Sequence, residues 1–208
     1  PQLFAKFAGL GGDGLDRALD CLDYLVRTTG TDGLRFCRTD VVSFEEGTVS
    51  VFDLVYNGKK WSWGSGKTLK AEDLSGMDAC TPSAHYNGFY LATLLLAYKV
   101  TGREIYRDTA VRGLTTMMEK YYPNTAREHS ETQDLSRLVL PLAYLYWVTV
   151  DQKHLGWLNA VLDSLTEKRT ENGAFIEWDT GYIACCAGQA DGECSVLAEN
   201  GNPVVDLL

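Results

Sequence analysis

Positive charge is scarce in this sequence, and it is nowhere concentrated. The 208 residues include 19 Lys and Arg against 28 Asp and Glu, which gives a net charge of −9 and a pI of about 4.8. No more than two or three basic residues stand together. Surfaces that bind nucleic acids or anionic membranes need a basic patch, so the composition argues against both kinds of partner.

A membrane span is also missing. A transmembrane helix needs about 20 consecutive apolar residues, whereas the most apolar stretch, residues 135–148, contains Arg137 and follows Glu131 and Asp134. The chain begins at Pro1 and has no positively charged segment followed by an apolar one, so no signal peptide is recognised. We expect a processed or excised piece of a longer protein, and the residues alone predict no localisation.

Metal-binding spacings are absent as well. None of the six cysteines forms a C-x-x-C pair, and no histidine lies near the adjacent Cys185 and Cys186. We expect small buried residues, or one loop disulfide such as Cys185 or Cys186 with Cys194. No metal site and no cofactor are predicted.

Two helices are predicted to be apolar on nearly every side. They cover residues 83–100 and 130–150. The second opens with SETQ, a capping box in which the Ser130 hydroxyl accepts from the Gln133 amide and the Gln133 side chain reaches back to the Ser130 amide. A helix that is apolar all round is buried all round. Both are therefore predicted to be inner helices, with other helices packed around them.

Pro141 does not suit the interior of the second inner helix. A proline there removes one hydrogen bond and clashes with the preceding turn, at a cost of about 3 kcal/mol. We expect a kink and a freed carbonyl at Arg137, and the sequence alone offers no reason for either.

Three further helices carry a single apolar stripe. The first is predicted over residues 13–29, and the other two follow capping boxes at residues 101–104 and 149–152. A repeat of 48 residues joins inner and outer helices into pairs: Tyr98, Thr101, Glu119 and Lys120 recur as Tyr146, Thr149, Glu167 and Lys168. The repeated unit is an αα-hairpin, and Pro203 is expected to start a third inner helix.

One β-hairpin is predicted at residues 50–63, with Asn57-Gly58 at its turn. Asn-Gly is the strongest two-residue hairpin signal because both turn positions need positive φ. Residues 34–48 are expected to be irregular, and residues 67–82 to form a loop.

Alternating inner and outer helices indicate two layers, in a closed α/α toroid or an open α-solenoid. The strings HYNGFYLATLLLAYKVTG, SETQDLSRLVLPLAYLYW and ENGNPVVDLL resemble bacterial members of the six-hairpin glycosidase superfamily, over roughly residues 81–208. This superfamily includes glycoside hydrolases, unsaturated-uronyl hydrolases and sugar epimerases. The resemblance implies a ring of six hairpins with the substrate site in its mouth, and it alone favours a periplasmic or extracellular location.

We therefore predict an all-α fold: repeated αα-hairpins that form part of an (α/α) toroid, with a small β-hairpin insertion. Residues 1–208 are expected to form a single, incomplete domain that needs the remainder of its own full-length chain to close the ring.

Candidate catalytic residues lie at the start of the inner helices. Glu131 and Asp134 share one face of a first helical turn, as paired carboxylates for acid and base catalysis require. For Glu131, next to the cap, helix capping is the favoured explanation, whereas Asp134 lies further into an apolar helix. His85 occupies the equivalent position on the other inner helix, where it could transfer protons or serve as a structural hydrogen-bonding residue.

Several aromatic and acidic residues could hold a sugar. Each has a structural alternative, because rings also fill cores and acids also cap helices. The candidates for substrate binding are Trp178, Tyr86, Trp61, Trp63, Glu177, Asp179 and Glu199.

Two classes of function fit these observations. The first is a carbohydrate-active enzyme, a glycoside hydrolase that acts on an oligosaccharide or polysaccharide by carboxylate chemistry. The second is a non-catalytic α-helical repeat module that binds a glycan or a protein.

Overall fold

A computed structural model describes residues 13–36, 38–43, 46–52, 55–56, 59–60, 67–79, 82–123, 131–169 and 171. This part of the chain is mostly helical. Its α-helices are α1 (Asp13–Arg27), α2 (Ala84–Thr101), α3 (Glu104–Thr116), α4 (Glu131–Thr149) and α5 (Gln152–Glu167). A 3₁₀ helix (Ala71–Gly76) precedes α2, and a π-helical turn (Met117–Tyr121) extends α3. The five predicted helices are confirmed.

Helices α2 and α4 form the centre of the bundle. They share the most extensive contact between any two described helices. They run in the same direction, since Ser83 at the start of α2 bonds Asp134 of α4, and Lys99 near the end of α2 lies over Trp147 of α4. By contrast, α5 buries only His154, Val161 and Leu165. Helices α2 and α4 are thus the central pair of the described helices, but α4 is not buried all round as predicted, since Leu140 and Ala143 are partly exposed and Trp147 is exposed.

The hydrophobic core lies between these helices and the elements around them. Its largest fully buried side chains come from α2, α3 with its π-helical turn, α4, the segment that follows α1 and the 3₁₀ helix: Leu91, Leu94, Leu95, Tyr106, Leu114, Met117, Leu138, Leu142, Leu145, Leu34 and Leu74. Helix α1 is tied to α3 at its exposed side, where Asp23 accepts hydrogen bonds from Tyr106 (2.7 Å) and Arg103 (2.9 Å).

A close approach between α2 and α4 accounts for Pro141. Pro141 is buried inside α4 and has no amide hydrogen to offer the Arg137 carbonyl. A Cβ added to Gly88 of α2 would lie 2.3 Å from that carbonyl oxygen. The freed carbonyl therefore packs directly against Gly88, and only glycine leaves room for it.

The two connections between helices repeat one design. Thr101 and Thr149 are the last residues of α2 and α4, and their hydroxyls donate to the Ala97 and Leu145 carbonyls. The capping boxes predicted at residues 101–104 and 149–152 are therefore wrong. The N-caps are instead Arg103, without a side-chain bond, and Asp151, whose side chain accepts from the Lys153 amide. The box predicted at Ser130 lies outside the described residues.

Equivalent residues in these turns have a left-handed backbone. Gly102 has φ 71° and Val150 has φ 54°. The amide of each donates to the carbonyl four residues earlier, on Tyr98 or Tyr146, at 2.7 Å. A β-branched residue at positive φ is an outlier, so the second turn holds Val150 against its own preference.

The sheet is larger than predicted. Strands β1 (Arg38–Ser43), β2 (Thr48–Phe52) and β5 (Lys67–Lys70) form an antiparallel sheet in the order β1-β2-β5. The expectations of irregular structure at residues 34–48 and a plain loop at residues 67–82 are wrong. Central strand β2 stabilises both neighbours, because pairing and packing outweigh weak local preference.

The predicted hairpin is present in a shorter form. Strands β3 (Val55–Tyr56) and β4 (Lys59–Lys60) pair across the Asn57-Gly58 step, with Tyr56 opposite Lys59. The residues before them, up to Phe52, belong to β2 instead.

Replacing Gly88 with Ala should destabilise the protein. The new Cβ collides with the Arg137 carbonyl, and overpacking of this kind costs about 1–3 kcal/mol. At roughly 2–4 °C per kcal/mol for a chain of this size, thermal denaturation should show a clear fall in Tm. Gly156→Ala is the matched control, because a Cβ there meets nothing within 4 Å and alanine favours the helix. An unchanged Tm for Gly88→Ala would contradict the close approach.

Replacing Val150 with Gly should stabilise the protein. The left-handed conformation costs a non-glycine residue about 1–2 kcal/mol, which glycine avoids. Part of this stabilisation, roughly 0.4–1 kcal/mol, is lost because glycine gives the unfolded chain more conformational freedom. Since the Val150 residue is 68% exposed, little packing is lost. The reciprocal change, Gly102→Val, should lower Tm. If both variants lower Tm, the strain at residue 150 is not real.

Candidate functional site

Asp134 joins the beginnings of the two inner helices. Ser83 is the N-cap of α2, and its hydroxyl accepts from the His85 amide at 3.2 Å. Asp134 Oδ1, from the first turn of α4, accepts from the same amide at 2.8 Å and from the Ser83 hydroxyl at 2.9 Å. A carboxylate of one helix thus caps its neighbour, which satisfies an amide that α2 leaves unbonded.

The other oxygen of Asp134 is in a different situation. Only 1% of the residue is exposed, and Oδ2 has no hydrogen-bond partner among the described residues. Burial raises the pKa of Asp134 to about 6, against the opposing effects of Ser83, the His85 amide and Arg137. A carboxyl group that changes charge near neutral pH can donate or accept a proton under physiological conditions.

Arg137 and His85 form a second link at this end of the bundle. Arg137 Nη1 lies 2.5 Å from His85 Nδ1 and donates to the His85 carbonyl at 3.3 Å. Because guanidinium nitrogens only donate, Nδ1 must accept, and the neutral ring then carries its proton on Nε2. The Tyr86 ring meets the His85 ring edge-on, with centroids 5.0 Å apart.

Asn87 connects this cluster to the segment that follows α1. It is fully buried, its Nδ2 donates to the Ser83 carbonyl at 3.1 Å, and its Oδ1 accepts from the Arg35 amide at 2.7 Å. The Arg35 guanidinium donates in turn to the Leu25 carbonyl and the Thr28 hydroxyl, each at 2.7 Å. A continuous polar chain therefore runs from the end of α1 to Asp134.

The structure brings together part of the predicted site. Asp134, His85 and Tyr86 lie at one end of the inner helices, and Glu131 is the first residue of α4. The remaining predicted site residues lie outside the described residues: Trp61, Trp63, Glu177, Trp178, Asp179 and Glu199.

Sequence reasoning missed Ser83, Asn87 and Arg137 as members of this cluster. Their signal was present, since each is a polar residue at the start of a helix that is otherwise apolar. The contacts among them, however, cross between helices about 50 residues apart, and no local pattern reveals such contacts.

A separate cavity of about 650 Å³ lies away from Asp134. It is formed by the last turn of α1, the turn before β2, the end of β5 and the 3₁₀ helix. Part of its wall is formed by two buried residues, Val49 and Thr28. Charged residues of both signs also line it: Arg27, Lys70, Glu46 and Glu72. No predicted site residue lines this cavity.

Some expectations concern residues that could bind metals or form disulfides. The described segments contain no group of three or more His, Cys, Asp or Glu residues arranged to hold a metal ion. Cys21 on α1 is exposed with a free thiol, contrary to the expectation of a buried residue. Cys185, Cys186 and Cys194 lie outside the described residues. No helix in the described ranges is long and apolar enough to cross a membrane.

Comparison with known proteins adds no relative. The fold so far defines a mostly helical protein with two successive αα-hairpins and a small antiparallel sheet. No family model, no curated protein and no solved structure matches the chain.

Replacing Asp134 with Asn should change how stability depends on pH. The folded state raises the Asp134 pKa from 3.8 to about 6, so it favours the neutral acid. That stabilisation is fully present below pH 3.8 and is lost as pH rises through about 6. Asparagine stays neutral, so between pH 4 and pH 8 the free energy of unfolding of the variant should rise relative to wild type by an amount on the order of 1–3 kcal/mol, measured as a rise in its relative Tm.

Asp23→Asn is the control with the opposite sign. Burial raises the Asp23 pKa, but hydrogen bonds from Tyr106 and Arg103 outweigh it and the net pKa is lowered. This variant should lose stability relative to wild type at neutral pH and regain it in acid. A Tm difference for Asp134→Asn that does not vary with pH would show that the carboxyl group has an ordinary pKa.

Proposed function

We propose that the protein is a carbohydrate-active enzyme, a glycoside hydrolase, in which Asp134 transfers a proton to or from the sugar. The observation that carries the proposal is the state of Asp134: a buried carboxyl group with a pKa of about 6 and one oxygen without a hydrogen-bond partner among the described residues. A general acid in glycoside hydrolysis needs a raised pKa of this kind.

The surroundings of Asp134 support the same role. The N-terminal ends of α2 and α4 meet there, so polar groups of both helices converge on Asp134. The rings of His85 and Tyr86 lie next to this point, with centroids 5.0 Å apart, and we assign them to sugar binding. Glu131, one turn before Asp134, is our candidate for the second carboxylate that this chemistry requires. In this proposal the remaining parts of the site come from a larger α/α toroid, which the resemblance of the sequence implies.

A second candidate function is a non-catalytic helical repeat module that binds a glycan or a protein. The observation that favours it is the capping geometry. Asp134 Oδ1 already accepts two hydrogen bonds, and the residue is 1% exposed. In this case Asp134 only holds two hairpins together.

Asp134→Asn should separate the two functions. The exchange keeps the size and the accepting oxygen but removes the titratable proton. In the enzyme we expect turnover of a glycan panel to fall by about 100-fold or more, since proton transfer contributes roughly 10²–10⁴-fold. Wild-type turnover should also decline above about pH 6, where the acid form of Asp134 is lost.

The matched control is Asp151→Asn. Asp151 caps α5 by accepting from the Lys153 amide at 2.9 Å, at the far end of the bundle from Asp134, so its replacement should leave turnover unchanged. Full activity in Asp134→Asn would exclude the proton-transfer role. A wild-type protein that binds glycans without turnover supports the repeat module, and one that neither binds nor cleaves any glycan excludes the enzyme proposal.

A further inference from the structure

The cavity beside α1 is lined by charges of both signs that do not pair with each other. Arg27 is the last residue of α1, and Glu72 lies in the first turn of the 3₁₀ helix. Neither forms an ion pair with any residue that the structure describes, and Arg27 acts on the nearby Asp23 only through its charge. Lys70, at the end of β5, donates to the main-chain carbonyl of Glu46 at 2.6 Å. Its charge is therefore not neutralised by a carboxylate of the described residues.

A hydroxyl group in the same lining also lacks a partner. Thr48 is the first residue of β2 and lines the cavity. Its Oγ1 is buried, and it has no hydrogen-bond partner among the described residues. A buried hydroxyl that makes no hydrogen bond destabilises a fold, so native structures seldom contain one without a reason. A ligand that bonds Thr48 from the cavity supplies such a reason.

The remaining lining and the size of the cavity limit what can bind there. Val49 is buried, and Tyr24 and Ala71 are partly buried, so apolar surface lies between the charged groups. Sites for small molecules commonly combine such apolar walls with a few polar groups that fix the orientation of the ligand. A sphere of about 650 Å³ is about 11 Å across, which is close to the length of three extended residues, roughly 10 Å.

We propose that this cavity binds a small zwitterion, a peptide of two or three residues with a free amino group and a free carboxyl group. The ligand carboxylate bonds Arg27 or Lys70, and the ligand ammonium group pairs with Glu72. Its apolar side chains lie against Val49 and Tyr24. The proposal concerns a site separate from the inner-helix ends, and it does not depend on the proposed enzymatic function.

Opposite charges on one ligand match this lining better than a single charge does. A simple anion satisfies Arg27 and Lys70 but lies beside the like charge of Glu72. A simple cation satisfies Glu72 but meets two positive side chains. A zwitterion pairs with both signs at once, and charge-assisted hydrogen bonds are stronger than neutral ones.

Isothermal titration calorimetry with the peptides Ala-Leu and Ala-Leu-Ala tests the proposal. Each peptide is used in three forms: with free termini, with an acetylated amino group, and with an amidated carboxyl group. We expect at least one free peptide to bind, and each of its blocked forms to bind more weakly by about tenfold or more, because each block removes one charged group from the ligand. Inorganic phosphate and a neutral disaccharide serve as probes of other ligand classes.

Two variants identify the groups that hold the peptide. Glu72→Gln should weaken binding of the free peptide but not of the acetylated peptide, which has no ammonium group to lose. Thr48→Val keeps the size of the side chain, so it should weaken binding while the Tm of the free protein stays equal or rises, because an unpartnered polar atom is removed. Glu167→Gln is the matched control, since Glu167 is exposed on α5 and does not line the cavity.

Several results would overturn the proposal. The first is that neither free peptide binds, or that free and blocked peptides bind equally. The second is that phosphate or the disaccharide binds as tightly as the free peptide, which would indicate an anion site or a sugar site. The third is that Thr48→Val lowers the Tm of the free protein and leaves peptide affinity unchanged, which would show that this hydroxyl serves the fold.

Discussion

The contact between Gly88 and the Arg137 carbonyl sets the distance between the two inner helices. Pro141 frees the carbonyl, and glycine removes the side chain that would hold it away. Contacts between a Cα hydrogen and a carbonyl oxygen recur where helices approach closely. The backbones of α2 and α4 are brought together at this contact. On its C-terminal side the side chains of the two helices pack against each other, and on its N-terminal side Asp134 reaches the first turn of α2.

That reach places a carboxyl group where water would ordinarily be. A buried carboxylate loses hydration, and two hydrogen bonds to one oxygen do not replace it. The folded protein responds by favouring the neutral acid, so the same packing that joins the hairpins also creates a group able to exchange a proton. The structural role and the proposed catalytic role of Asp134 therefore rest on the same contact. They differ in whether a ligand binds the second carboxyl oxygen, Oδ2.

The helices could be predicted because their signal is local. A run that is apolar all round indicates an inner helix, and α2 and α4 are the central pair of the described helices. The capping boxes failed at Thr101 and Thr149 for a related reason: a Thr that ends one helix and an acid or Gln that begins the next produce the same spacing when only two residues separate the helices. Strands β1 and β5 were missed because charged residues weaken their pattern and β2 supplies their stability.

The candidate site was predictable only in part. An acid on an apolar helix marked Asp134, and its burial is confirmed. Its partners Ser83 and Arg137 become evident only once α2 and α4 are packed together, since the contacts depend on the register between them. The cavity beside α1 could not be foreseen, because its walls come from four separate elements and two of them, the end of β5 and the 3₁₀ helix, were expected to be loop.

The pairing of each inner helix with a returning outer helix has an electrical consequence. The N-terminus of a helix carries roughly half a positive elementary charge and its C-terminus the opposite. In the hairpins α2–α3 and α4–α5, a positive inner end lies at the same end of the bundle as a negative outer end. These partial charges largely cancel at a distance, and the chain as a whole is negative. The helix dipoles of the two hairpins therefore contribute little at long range, where the net charge of −9 sets the sign of the field.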